Sequence, residues 1–179
     1  PAFTEDPTFL ARFQREARVV AKLEHPNIVP VYDFAEYEGR PYLVMKFIEG
    51  ETLKARLTRG TLPPEEITRV TKDIGAALTY AHQQGILHRD IKPSNVILSK
   101  DGQIYLADFG LALLRHAPSV EARTIVFAPN LKKKGRQHTA KFDVFSLGKT
   151  FKNLMAVLHI RDAFMVNLIK KMQQTAPER

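Results

Sequence analysis

The stretch Ile86-Leu87-His88-Arg89-Asp90-Ile91-Lys92-Pro93-Ser94-Asn95 sets an Asp, a Lys two residues on and an Asn five residues on in one short segment. An apolar helical run leads into it. Pro63-Pro64 opens a helix over 64–84, because Ile67, Val70, Ile74, Leu78 and Ala81 recur at spacings of three and four and so share one buried face. Gly85 is placed to stop that helix. Two short apolar strands, 96–98 and 104–107, follow around the turn Lys100-Asp101-Gly102, and Asp108-Phe109-Gly110 closes the second. A hairpin this short keeps its ends close, so Asp108 leaves from the end where Asp90 and Asn95 lie.

Two carboxylates, an amide oxygen and a lysine then converge. Oxygen donors of this kind suit Mg²⁺, which takes one or two carboxylates and lets substrate phosphates and water complete its octahedron. Lys92 would balance the charge of a transferred phosphoryl group, and Asp90 would orient a hydroxyl and accept its proton. Taken without Asp108, the same loop reads as a capping Asp and a surface Lys.

On the N-terminal side, a helix is expected over 9–23. Thr8 can cap it, and Phe9, Phe13, Ala17, Val20 and Leu23 form its apolar stripe. His25-Pro26-Asn27 ends it. Strands at 28–37 and 42–48 flank the turn Glu38-Gly39-Arg40 as a hairpin, and a short helix follows at 52–58. On the C-terminal side, helices are expected over 144–158 and 163–172. The fold class is α+β, a small mixed piece followed by a mostly helical one. The chain has 179 residues, 44% of them apolar, which suits one domain or two small lobes sharing a core. It has no cysteine, so no disulfide framework and no thiolate metal site, which fits a reducing compartment. No apolar run approaches the roughly 20 residues a bilayer requires, and no signal peptide opens the chain. The formal charge of +8 points to an anionic partner. The one dense basic run, Lys132-Lys133-Lys134-Gly135-Arg136, has no interleaved aromatic residues and reads as a solvated loop, so nucleic acid is not expected.

The loop from His88 to Asn95 resembles the catalytic loop of eukaryotic-type protein kinases, and Asp108-Phe109-Gly110 resembles their metal-binding triplet, at the family's interval. The resemblance implies a kinase-like fold with ATP and Mg²⁺ as cofactors and a protein Ser/Thr hydroxyl as substrate. It implies that Asp90, Lys92 and Asn95 are catalytic and that Asp108 and Asn95 hold the metal. Residues 13–17 and 25–29 are similar to the family's αC helix and the strand after it, which makes Glu16 the partner of the ATP-contacting lysine. Tyr42 to Gly50 looks like the strand and hinge against adenine, with Met45 as gatekeeper, also readable as a buried core Met, and backbone groups of Lys46, Phe47 and Ile48 on the adenine edge. Ile97 matches the residue beneath adenine and is expected to be buried. Asp143-Val144-Phe145-Ser146-Leu147-Gly148 resembles the start of the αF helix, whose Asp braces the catalytic loop. Lys92 with Pro93-Ser94 is similar to serine/threonine kinases, and Phe145-Ser146-Leu147-Gly148 to bacterial ones. Ser119 and Thr124 are candidate phosphorylation sites, with Arg89 the residue to receive such a phosphate. The implied division is an N-lobe remnant over 1–45, a hinge over 46–50 and a C-lobe over 51–179. A cytoplasmic location is expected, alone or as the cytoplasmic part of a membrane-anchored chain.

Departures from the family pattern are also plain. No Gly-rich G-x-G-x-x-G loop occurs, and no V-A-I-K-like strand precedes Glu16, which reads as truncation of a longer kinase with little turnover of its own. Ala128-Pro129-Asn130 stands in place of the family's Ala-Pro-Glu, the segment before it is one residue short, and no αG helix is recognisable. Arg179 therefore lacks its family partner. These changes touch the peptide-gripping region and keep open a second reading, a pseudokinase or interaction module without turnover.

Overall fold

The computed structural model describes residue 14 and residues 17–38, 40–60, 62–109, 140–157 and 163–174. The N-terminal helix is described at residue 14 and over residues 17–20, and the chain turns at 21–22, so helix does not continue to Leu23 as expected. Ala17, Val20 and Leu23 are all buried, as the stripe requires. Phe9, Phe13 and Thr8 lie outside the described residues.

Strand β1 (Val31–Tyr37) pairs antiparallel with β2 (Arg40–Met45), with a register shift between Val31 and Asp33. Both strands are shorter than expected. The first does not begin at Ile28, because residues 27–29 bond elsewhere: Val29 N–H donates to Leu106 O at 3.0 Å and Leu106 N–H to Asn27 O at 2.8 Å. Ile28 thereby forms a parallel bridge to Leu106. The second strand does not run to Ile48. Lys46 N–H still reaches Pro30 O at 2.9 Å, but residues 46–49 then leave the hairpin.

That departure feeds a strand the sequence did not announce. β3 (Gly50–Thr52) pairs antiparallel with β4 (Val96–Ser99), which pairs with β5 (Ile104–Leu106), giving a sheet in the order β3-β4-β5. A Cβ on Gly50 would fall inside contact distance of Leu98 O and 2.7 Å from Ser99 Cα, so only glycine lets the backbones approach. Thr52 caps α1 (Leu53–Thr58), its hydroxyl accepting from Ala55 N–H at 3.1 Å.

Helix α2 (Pro64–Gln83) has Pro64 at its first turn, where a missing N–H costs nothing, and Glu65 and Glu66 at its positive end. Ile67, Val70, Ile74, Leu78 and Ala81 are buried as the spacing requires, joined by Thr71 and Ala77. Its end is a Schellman motif: Ile86 N–H donates to Ala81 O at 2.9 Å and Gly85 N–H to His82 O at 3.0 Å, with Gly85 at φ 73°. Helix α3 (Ala140–Val157) starts four residues earlier than expected, which sets Asp143 in its first turn, and packs on α4 (Ala163–Gln174). Gly148 permits this contact, since a Cβ there would lie 2.9 Å from Met172 Cβ. One core cluster runs from Val20, Leu23 and Ile28 through the α2 face to Ile104, Leu106, Leu147, Phe151 and Ile169. No described helix is long and apolar enough to cross a membrane.

Candidate active site

The segment between α2 and β4 is held from three sides. Asp143, fully buried, spends one carboxylate oxygen on Arg89 N–H at 2.7 Å and the other on His88 N–H at 2.8 Å. His82 Nε2 donates to that second oxygen at 2.9 Å. Burial would push the Asp143 carboxyl up, but the His82 hydrogen bond, the nearby His88 and the two backbone N–H groups outweigh it and hold the carboxyl below its ordinary value. The grip has a conformational consequence. Arg89 sits at φ 69°, a left-handed backbone that non-glycine residues rarely adopt, and two charge-assisted hydrogen bonds hold it there.

His88 supplies the second side. Its ring is buried, Nε2–H donates to Ala107 O at 2.9 Å, and Nδ1 accepts from Asp90 N–H at 3.2 Å. One nitrogen donates and the other accepts, so the ring is neutral. Burial pushes its pKa below the ordinary imidazole value, against the pull of Asp143 and weaker pulls that include Asp90 and Asp108. The ring meets Phe109 edge-on, with centroids 4.7 Å apart. The third side is the hairpin, where Ala107 N–H donates to Asn95 O at 2.9 Å.

These constraints converge on Asp90. Lys92 Nζ donates to Asp90 Oδ2 at 2.5 Å, and Asn95 Nδ2 donates to Asp90 O at 2.8 Å and to Oδ2 at 3.2 Å. Asp90 and Asn95 are buried, and Lys92 and Asp108 are half-buried. Asp108 lies two residues past the end of β5 at φ 64°, a second strained non-glycine backbone in the same cluster. Among the described residues, no group of three or more His, Asp or Glu could hold a metal ion. The donor set nevertheless suits magnesium: with Asn95 Nδ2 committed to Asp90, the amide oxygen remains an acceptor, and Asp108 adds a carboxylate.

Other expected positions fare differently. Met45 shares a small gap with Asp108 and Phe109, lined also by Val20, Val29, Val31 and Leu43. It is 37% exposed, which corrects its reading as a buried core residue, because β2 has no neighbour beyond β1 among the described residues. Lys46, Phe47 and Ile48 line a cleft of about 180 Å³ with Glu49, Ser99, Lys100, Asp101 and Tyr105. Ile97 does not line it and is half-buried, not buried as expected, since the short sheet covers only one of its faces. Arg89 Nε is buried with no hydrogen-bond partner among the described residues. Glu16, Gly110, Ser119, Thr124, the run 132–136 and residues 128–130 lie outside the described residues. Two participants escaped the sequence reading. His82 hides because its partner is 61 positions away. Asn27, read as part of a helix stop and of the family-like run 25–29 but given no contact, donates from Nδ2 to Ile104 O at 2.9 Å and stitches the N-terminal segment to β5.

Comparison with known proteins gives the chain's relatives. A family model described as protein kinase domain matches residues 4–175. The chain is 38% identical over 153 residues to the serine/threonine-protein kinase PrkC of Bacillus subtilis, covering 82% of this chain and 24% of that protein. It is 39% identical over 165 residues to a probable serine/threonine-protein kinase of Streptomyces coelicolor, covering 85% of this chain and 24% of that one. The chain thus spans about a quarter of the length of these curated relatives. Among solved structures, a Mycobacterium tuberculosis PknI kinase domain superposes with a TM-score of 0.79 at 29% identity, over 99% of this chain and 75% of that one.

Proposed function

The chain belongs to the protein kinase domain family, with bacterial serine/threonine-protein kinases among its relatives, and from that premise we propose that it is the catalytic segment of a kinase transferring the γ-phosphate of ATP to protein Ser or Thr hydroxyls. The observation that carries the proposal is the geometry at Asp90, whose Oδ2 accepts from Lys92 at 2.5 Å and from Asn95 at 3.2 Å on a loop fastened through Asp143. Asp90 orients the substrate hydroxyl and takes its proton. Lys92 carries positive charge beside that carboxylate and balances the phosphoryl oxygens. Asp108 and the Asn95 amide oxygen hold magnesium, which supplies neutralisation of the phosphate charge when bound. Met45, the backbone of Lys46, Phe47 and Ile48, and Ile97 hold the adenine, and Glu16 pairs with a phosphate-contacting lysine.

We assign residues 1–45 to an N-lobe portion, 46–50 to the hinge and 51–179 to the C-lobe. Ser119 and Thr124 are candidate phosphorylation sites, and Arg89, whose buried Nε has no hydrogen-bond partner among the described residues, is their receiver. We place the kinase itself on the cytoplasmic side, alone or as the cytoplasmic part of a membrane-anchored chain. Because the 179 residues contain neither a Gly-rich loop nor a V-A-I-K lysine, the segment alone turns over little.

The test is a fusion that supplies a Gly-rich hairpin and its lysine ahead of the chain. Magnesium-dependent ATP binding by calorimetry and phosphorylation of a generic basic protein are the expected results. In that fusion Asp90→Asn lowers kcat by about 10²-fold or more and leaves nucleotide affinity near unchanged, because Asp90 acts on the hydroxyl. Asp108→Asn weakens metal-dependent binding as well. An inert fusion, or full activity in Asp90→Asn, would overturn the assignment.

A further inference from the structure

The crossing from β2 to β3 is fastened at both ends. Lys46 N–H donates to Pro30 O at 2.9 Å where the hairpin ends, and Lys100 N–H donates to Glu49 O at 2.8 Å where the second sheet begins. Residues 46–49 thereby face the β4–β5 turn as a bridge, and the cleft of about 180 Å³ lies between them and that turn. None of Asp90, Lys92, Asn95 and Asp108 lines it, and it shares no residue with the gap at Met45. Its side chains offer ring faces beside one unneutralised cation. Phe47 is 86% exposed, and the half-buried Ile48 and Tyr105 add aliphatic and aromatic surface. Glu49 is paired with Lys100, and Asp101 is spent on the Ser99 hydroxyl and, at 3.3 Å, on Gln103 N–H. Lys46 makes no ion pair among the described residues, and its ammonium stands 5.7 Å from the centre of the Tyr105 ring. Arg69 of α2 adds positive charge beside the turn, its Nη1 3.9 Å from where a Cβ on Gly102 would fall.

We propose that this cleft docks a short acidic peptide segment of a partner protein, with one aromatic side chain entering against Phe47 and Tyr105 and a neighbouring carboxylate pairing with Lys46. Size selects a peptide over a small molecule. Pockets for whole small molecules run to about 300–1,000 Å³, whereas this one holds a single ring and leaves the rest of the ligand along the surface past Phe47 and Lys100. Charge selects an acidic one: inside the cleft the carboxylates are already spent and Lys46 is not, and the formal charge of +8 on the chain draws an acidic segment toward it. A lone exposed phenylalanine is ordinary on any protein surface. Here it stands with a second ring and a cation on a segment pinned at both ends, so the site is preorganised and binding orders little backbone.

Docking needs no turnover, so it stands or falls apart from the kinase reading. The probe is an end-blocked, fluorescein-labelled peptide with one phenylalanine between acidic residues, and binding to the 179-residue chain is followed by fluorescence polarisation and ¹H–¹⁵N spectra. The expected Kd is about 0.1 mM. The amides of Phe47, Ile48, Ser99 and Tyr105 should shift, and those of Asp90, Asn95 and Asp108 should not. Lys46→Met, which keeps the stem without the charge, and Tyr105→Ala should each weaken binding about tenfold, as should alanine in place of the peptide's phenylalanine. Lys46→Arg should bind like the wild type. If Tyr105→Ala does not fold, Tyr105→Leu is measured in its place. No saturable binding up to about 2 mM peptide would overturn the proposal. Equal binding of the alanine peptide would do the same, because it would reduce the contact to attraction by a basic chain. Shifts centred on Asp90, Asn95 and Asp108 would move the peptide to the catalytic cluster, and benzoate binding as tightly as the peptide would make the cleft a small-molecule site. A dimer in sedimentation that Phe47→Ser dissolves would give the cleft to a second copy. Each of these three results also overturns it.

Discussion

Asp143 serves several partners at once, and its removal should show it. It satisfies two backbone N–H groups and one imidazole from a fully buried position. Asp143→Ala orphans all three and releases the strained Arg89, so we expect a loss of about 3 kcal/mol or more in urea unfolding. Acid should act on the same cluster. His88 has a pKa depressed by burial, so below about pH 6.5 the unfolded chain takes a proton that native His88 refuses, and stability falls as pH drops through that range. His25, also depressed mainly by burial, adds in the same direction. Asp143 is depressed as well, so its contribution is present above about pH 4 and is lost as pH falls through its lower native value. Urea midpoints should therefore hold near neutrality, decline below about pH 6.5 and decline again below about pH 4. His88→Gln should flatten the first decline, and an unchanged first decline would count against His88 as its source. At this scale the meeting of Asp90, Lys92 and Asn95 was legible because it is local: the three lie within six residues. His82 was not, because nothing at the end of α2 points to a carboxylate 61 positions on.

Among the elements, α2 was read almost to the residue, since twenty residues with a three–four apolar rhythm and a Gly stop leave few alternatives. β3 was not read at all. Three residues beginning with Gly carry no alternation, and the strand exists because β4 offers it a partner. The same pairing explains why the second hairpin strand ends at Met45 and not Ile48: the chain must cross from one sheet to the other. β3 should accordingly be sensitive to the one residue that admits it. Gly50→Ala puts a methyl group against Leu98 O and Ser99 Cα, and should cost about 1–3 kcal/mol in chemical denaturation. Gly75→Ala, in α2 with nothing within 4 Å of the added Cβ, should stabilise by roughly 0.5–1 kcal/mol and serves as the control. Equal effects at the two sites would mean that the close approach at Gly50 is unimportant.

For the molecule as a whole, the sequence conveyed an α+β class with a helical C-terminal part, and the family resemblance covered most of the chain. What no local pattern conveyed was how the N-terminal segment attaches. Ile28 reads as the start of a strand in any window, yet its bonds go to Leu106. Asn27 completes that seam through Ile104, a contact between residues 77 positions apart. Such a contact has a history in time as well as a place in space. Closing a loop of that length costs roughly 4 kcal/mol of chain entropy before any bond repays it, whereas the turns of α2 and the β4–β5 hairpin close over a few residues. The seam should therefore form after the folding barrier, as one of the last contacts made and one of the first lost. Asn27→Ala should speed unfolding severalfold in stopped-flow measurements and leave the folding rate almost unchanged. A variant that slowed folding instead would move the seam into the nucleus, and the order of assembly would run from the chain's middle and its N-terminal segment together.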